Sequence, residues 1–381
     1  MHPFRHLCMI SPVDTNNEEH VHAWAQSLRA VLVPWYATFG HTRVKTLVAY
    51  LPHMRDLVVL DAVYANDLVL ARHLHTQVNL LACPNRLLNL ASGLGYASMV
   101  RYLHSLGHNG CDVGAMNLAA RFGFLEIVIF LDSNRAEGCN VRAMNGAAKY
   151  GHLHVVQWLH HHRNEGCSDD AMAGAAERGH LEVVEWLHGN CKPTNNIPMA
   201  FLAAIRANQV ETAKYLSMQF DDLFPLTNSV VEFTAYHGHL EILQWLHGSR
   251  HVVQFTARTV VQATLGGHLE VVRWLCDDLE LPCPHDLVRV AAKGNRVDIL
   301  QYLYNKDPRL ANGMLVDVVP LAAARGQMQL LEWFRHHGFK MDRSRLAQLE
   351  PQEPEQTRAA SPCCSRTARE QASRIGLKDR E

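Results

Sequence analysis

The chain has 381 residues and a formal net charge of −1, with 36 Lys and Arg against 37 Asp and Glu. That balance lacks the basic footprint with which nucleic-acid binders neutralise phosphates, and it offers little to an anionic membrane surface. With 48% hydrophobic and 19% charged residues, the composition is that of a folded chain and not of a disordered one.

The first 56 residues are less regular than residues 57–340. The apolar run Leu7–Ile10 is too short for the core of a secretory signal. The longest apolar run, residues 30–37, contains Pro34 and falls well short of a membrane span. An intracellular, cytoplasmic chain with neither a membrane nor a nucleic acid as partner is therefore expected. Residues 17–37 read as a helix pair with Trp24, Leu28, Val31 and Leu32 on one side, and Gly40, His41, Val44, Leu47 and Val48 read as a degenerate repeat. This segment, 1–56, is expected to cap an array, because the end of a stack must cover its first core layer. The alternative is an independent adaptor motif.

From residue 57 a motif close to Gly-His-Leu-Glu-Val-Val-x-Trp-Leu-His recurs, most clearly at Gly151–His160, Gly179–His188, Gly238–His247 and Gly267–Cys276. Its first position, the mark, falls at Asn66, Gly95, Gly123, Gly151, Gly179, Asn208, Gly238, Gly267, Asn295 and Gly326, in steps of 28 to 31 residues. A fixed period in this range predicts an array of small units, each unable to bury its apolar face alone.

One copy gives the pattern of a unit. Asp170 reads as the N-cap of a first helix over 171–178, with Met172, Ala175 and Ala176 facing the stack. Ala pairs recur there, as at Ala119-Ala120, Ala147-Ala148, Ala291-Ala292 and Ala322-Ala323, and let helices approach closely. Gly179 ends that helix, and His180 opens a second one with Leu181, Val183, Val184, Trp186 and Leu187 as its apolar stripe. Seven residues past the mark, nine of ten side chains are aromatic, His73 being the exception, and this column reads as a core ladder between second helices.

These residues resemble the ankyrin repeat, two antiparallel helices and a turn, over roughly residues 57–340. The resemblance implies an all-α, ankyrin-type solenoid of about ten helix-turn-helix repeats. It departs from the family pattern in its shorter period and in lacking Thr-Pro-Leu-His, so the β-hairpin fingers are expected to be short or absent. The Trp-Leu-His variant is similar to large ankyrin families expanded in oomycetes, amoebae and giant viruses, some members of which are proposed to act on host proteins.

Two loops interrupt the array, 189–198 with two prolines and three asparagines, and 304–312 before the longest step. Residues 341–381 are poor in apolar side chains and read as a disordered tail. Cys83, Cys111, Cys139, Cys167 and Cys283 form a column of small, half-buried residues whose stacking distance rules out disulfides between equivalents. Among the 25 His residues, those at the mark plus one and plus nine follow the repeat and read as structural; no metal and no cofactor is expected.

The resulting expectation is a monomeric, non-catalytic scaffold that binds protein partners through a concave groove of first helices and short loops. The contacts should lie at variable positions before the mark: Arg121, Phe122, Lys149, Tyr150, Glu177, Arg178, Arg206, Tyr236 and His237. The alternatives are an enzyme or metal-dependent activity in the N-terminal segment or His-rich loops, or an adaptor that recruits substrates to a ubiquitin ligase.

Overall fold

The computed structural model describes residues 18–191, 197–219, 227–249, 253–284, 286–307, 318–319, 322–323 and 325–338. The segments 1–17 and 339–381, and with them the expected tail, lie outside the described residues, as do 192–196 and 308–312 of the two irregular loops. The chain divides into two compact units, Met1–Thr234 with His239–Gln254, and Ala235–Gly238 with Phe255–Glu381. Both are all-α and ankyrin-type, and no strand occurs among the described residues.

In the first unit α1 (Glu18–Phe39) and α2 (Val44–Tyr50) precede the helix pairs α3 (Met54–Tyr64) and α4 (Leu68–Val78), α5 (Leu87–Gly93) and α6 (Ala97–Ser105), α7 (Val113–Arg121) and α8 (Leu125–Asn134). They continue as α9 (Val141–Lys149) and α10 (Leu153–His162), α11 (Asp169–Glu177) and α12 (Leu181–Asn190), α13 (Ile197–Arg206) and α14 (Val210–Gln219). Then come α15 (Asn228–Tyr236), whose last two residues fall to the second unit, and α16 (Leu240–Gly248). The second unit holds α17 (Ala257–Gly266) and α18 (Leu269–Arg273), then α19 (Leu287–Lys293), α20 (Val297–Lys306) and α21 (Met328–His336).

The expected helix pair at 17–37 is one helix, α1, which runs through Pro34. Leu28 and Leu32 are fully buried, whereas Trp24 and Val31 are only half-buried. Arg29 on α1 reaches the buried Asp61 of α3 at 3.1 Å, a polar tie beneath an otherwise apolar contact. Val44 and Leu47 of α2 are buried, as a degenerate repeat would require.

Every mark sits between the two helices of its repeat with positive φ, from 53° at Asn66 to 89° at Gly267. Seven marks are Gly and three are Asn, the residues that enter the left-handed region at least cost. Backbone geometry explains only half of the preference. A Cβ on Gly123 would stand 2.6 Å from the His152 ring, one on Gly151 2.6 Å from the His180 ring, and one on Gly238 2.3 Å from the His268 ring. The residue after each mark therefore packs down onto the mark of the preceding repeat. From there His152 bonds the backbone of Arg121, His180 that of Lys149, and Arg296 the carbonyl of Leu265 at 3.2 Å. The recurrent His at this column is an inter-repeat bolt.

First helices pack tightly on one another, and second helices stand further apart. The Ala pairs account for the first: Ala119, Ala120, Ala147, Ala148, Ala175 and Ala176 are all buried. Gly146 and Gly174 add to it, since a Cβ on either would lie 3.0 Å from the Cβ of Arg121 or Lys149 on the preceding helix. In α11 the N-cap is Ser168 and not Asp170, which lies inside the first turn. The register moves with it, so Ala171 and Gly174 join Ala175 and Ala176 in the core and Met172 is half-buried.

The aromatic column differs from its expectation. Trp274 and Trp333 are buried at 9% and 8% exposure, but Tyr102, Phe130, Trp158, Trp186, Tyr215 and Trp245 are half-buried. The core of each second helix is its Val and Leu pattern, Val183, Val184 and Leu187 in α12. The aromatics lie at the edge, where the side chain nine past the preceding mark meets them edge-on. His104 meets Phe130 at 5.4 Å, His160 meets Trp186 at 5.1 Å and Tyr304 meets Trp333 at 5.6 Å. The ladder between second helices exists, but it is a T-shaped His–aromatic ladder half open to solvent.

Loops replace fingers. In Arg-Ala-Glu-Gly-Cys at 135–139 and Arg-Asn-Glu-Gly-Cys at 163–167, Arg and Glu pair within the loop, Arg135 with Glu137 and Arg163 with Glu165. Arg163 also reaches back to Asp132 at 2.9 Å. A Cβ on Gly138 would meet the Arg163 guanidinium at 2.7 Å, so the loop 163–167 lies on the loop 135–139. Cys139 in the first of these loops and Cys111 in the loop one repeat earlier are half-buried, with burial pushing both thiols up to about 11.

Candidate functional site

The exposed face of the first helices α5, α7, α9 and α11 carries a polar row that fixes their spacing. Asn117 Nδ2 donates to Asn140 Oδ1 at 3.0 Å, and its Oδ1 accepts the Asn140 N–H at 3.2 Å. Asn145 does the same to Ser168, at 2.6 and 3.0 Å, and Asn89 to Asp112, at 2.5 and 3.3 Å. Asn140, Ser168 and Asp112 are the N-caps of the next helices. One amide thus holds the start of the following helix by both backbone and side chain. Satisfying these partly buried groups is worth about 1 kcal/mol per bond.

Beyond that row the face opens into a groove of about 710 Å³. Its cations are Arg86, Arg121, Arg142, Lys149 and Arg178, and its carboxylates are Asp112 and Asp170. Arg86 is paired with Asp112 at 2.7 Å, and Lys149 with Glu177 at 2.8 Å. At the centre two guanidinium groups lie against Tyr150, Arg178 at 4.5 Å and Arg121 at 5.0 Å from its ring centroid. Arg121 also donates to the Tyr150 hydroxyl at 2.7 Å. The tyrosine orients both guanidiniums by cation–π attraction and leaves most of their N–H donors unused.

Four of the nine residues singled out from the sequence, Arg121, Lys149, Tyr150 and Arg178, line this groove together. Phe122 packs beside it, 6.0 Å from Tyr150 and 6.5 Å from Phe124, and Glu177 serves as the Lys149 partner. Arg206, further along the same unit, lies over Phe233 at 5.5 Å. Tyr236 and His237 belong to the other unit, where they pack edge-on at 5.1 Å with Tyr236 45% exposed. Sequence reasoning misses Arg86, Asp112, Asn117, Asn140, Arg142, Asn145 and Asp170. The Asn row is visible as a column six residues before the mark, at Asn89, Asn117 and Asn145.

Among the described residues no helix is long and apolar enough to cross a membrane. Asp277 bonds Tyr302 at 2.7 Å and Lys306, which hold its carboxyl below the usual range. Residues 143–188, which contain the centre of the groove, match the family model of ankyrin repeats in many copies. No curated protein matches the chain.

Proposed function

We propose that this ankyrin-repeat chain is a non-catalytic protein-binding scaffold, and that the groove over α7, α9 and α11 takes an extended acidic segment of its partner. The observation that carries this reading is the Arg121–Tyr150–Arg178 cluster. Two guanidiniums held apart on one ring present planar donor sets, the geometry that carboxylates accept in pairs. Arg142 adds positive charge beside them, and the groove carries five cations against two carboxylates. An extended peptide fits because the row repeats along the helices at the spacing of the units.

A random peptide library selected on the immobilised full chain tests this. Recovered peptides should be rich in Asp and Glu, and their binding should weaken with rising salt. The paired change Arg121→Ala and Arg178→Ala should remove it. Recovery of basic or purely apolar sequences, or binding indifferent to that change, would overturn the assignment.

A further inference from the structure

The repeat that begins at Gly267 breaks the pattern of its neighbours. Its second helix starts as α18 but turns into a π-helical segment over Trp274–Asp278, a wider coil often found where a helix is bent to a purpose. Glu280 then takes a positive φ of 52°, and the Leu281 N–H returns to the Leu275 carbonyl at 3.0 Å. This repeat also has Cys276 where five others have His, nine past the mark, and Cys283 in the regular cysteine column. The re-aimed backbone brings the two sulfurs to 3.1 Å, the Cys283 thiol donating to Cys276 Sγ.

The surroundings favour chemistry at this pair. Cys276 is buried, while Cys283 is half-buried on the wall of a cavity of about 430 Å³ lined by Leu281, Pro284, Leu287, Val288 and Lys306. Lys306 is anchored there by the Cys276 carbonyl at 2.8 Å and by Asp277. Hydrogen bonding with Cys276 lowers the Cys283 thiol below its usual range, and Lys306 acts in the same direction. Bonding to Cys283 and burial raise Cys276.

We propose that Cys276 and Cys283 form a redox-active dithiol that closes to an intramolecular disulfide by exchange with a small disulfide such as oxidised glutathione. The Cys283 thiolate attacks one sulfur of the small disulfide, whose S–S bond breaks as the first thiolate leaves. Cys276 then gives up its proton and attacks Cys283 Sγ, and the second small thiolate leaves. The two protein thiols are oxidised, the small disulfide is reduced, and the two protons pass to the departing thiolates. Closure needs the sulfurs to move from 3.1 Å to about 2.05 Å. It would staple the end of the second helix to the loop that enters α19.

The whole chain, equilibrated in glutathione buffers of rising oxidised fraction, acid-quenched and alkylated, gives the test. No Lys or Arg lies between Arg273 and Arg289, so trypsin releases both cysteines in one peptide, and cleavage after Glu280 separates them only when they are reduced. The expected product is a peptide that carries no alkyl group and stays joined after that cleavage, with a Cys276→Ser variant holding glutathione on Cys283. Two alkylated cysteines at every buffer ratio, or a glutathione adduct that persists on wild-type Cys283, would overturn the proposal. The wild-type result decides it even where the variant does not fold.

Discussion

Gly151 is the position at which the two demands on a repeat mark can be separated by mutation. Its φ is +78°, and an added Cβ would meet the His180 ring of the next repeat at 2.6 Å. Gly107 has a similar φ of +71° but nothing within 4 Å of an added Cβ. Gly107→Ala therefore reports left-handed strain alone, about 1–2 kcal/mol. Gly151→Ala bears that strain and must also push aside a ring bonded to the Lys149 backbone, which adds about 1–3 kcal/mol of overpacking. Gly151→Asn separates the terms further, because Asn already occupies this conformation at Asn66, Asn208 and Asn295. It should lose mainly the overpacking term, about 1–3 kcal/mol. Urea unfolding followed by circular dichroism reads all three, with His180→Ala in the Gly151→Ala background as the fourth corner of a double-mutant cycle. The double variant should recover part of the loss. Equal losses for Gly151→Ala and Gly107→Ala, within about 0.5 kcal/mol, would refute the claim that the mark is glycine for inter-repeat packing.

The same contacts have other consequences. Asn145→Ala strips the Ser168 N–H of its partner and the hydroxyl of one of its bonds, and should lose about 1–3 kcal/mol in the same assay; a loss near zero would mean that water replaces the amide freely. Burial holds His108, His152 and His180 below the usual imidazole range. The unfolded chain then binds more protons than the folded one, so the stability from these groups is present above about pH 6.5 and is lost as pH falls below it. The melting temperature at about pH 5.5 should lie below that at about pH 7.5, and an equal or higher value would refute the sign.

Much of the fold is legible in the sequence because each repeat spends its residues in the same way. The register, the mark and the Val and Leu core of the second helices follow from period and pattern alone. The start of α11 is ambiguous in sequence because Ser168, Asp169 and Asp170 are all capable caps, and only the Asn145 amide selects Ser168. The aromatic column lies less deep than its composition implies, since a helical position seven past the mark falls at the edge of the apolar stripe. That edge becomes covered through the side chain nine past the preceding mark, a contact that crosses repeats and leaves no trace in a single helix. Four groove residues are visible as variable positions before the mark. Their partners Arg86, Arg142 and Asp170 are not, because they come from the opposite ends of neighbouring first helices, whose closeness depends on Gly146 and Gly174. The dithiol is hidden by the regularity of the cysteine column, which pairs equivalent positions in the mind and leaves Cys276 aside.

The groove as partner site is tested most directly by affinity purification of the full chain beside two variants, with mass spectrometry of the captured proteins. One variant carries Arg121→Ala, Tyr150→Ala and Arg178→Ala in the groove; the other carries Trp158→Ala and Trp186→Ala on the second helices. A partner retained by the wild type and the second variant but lost from the groove variant, with the groove variant still folded by circular dichroism, is the predicted result. A partner retained by the groove variant and lost with the second-helix changes would place binding on the opposite face and contradict the account.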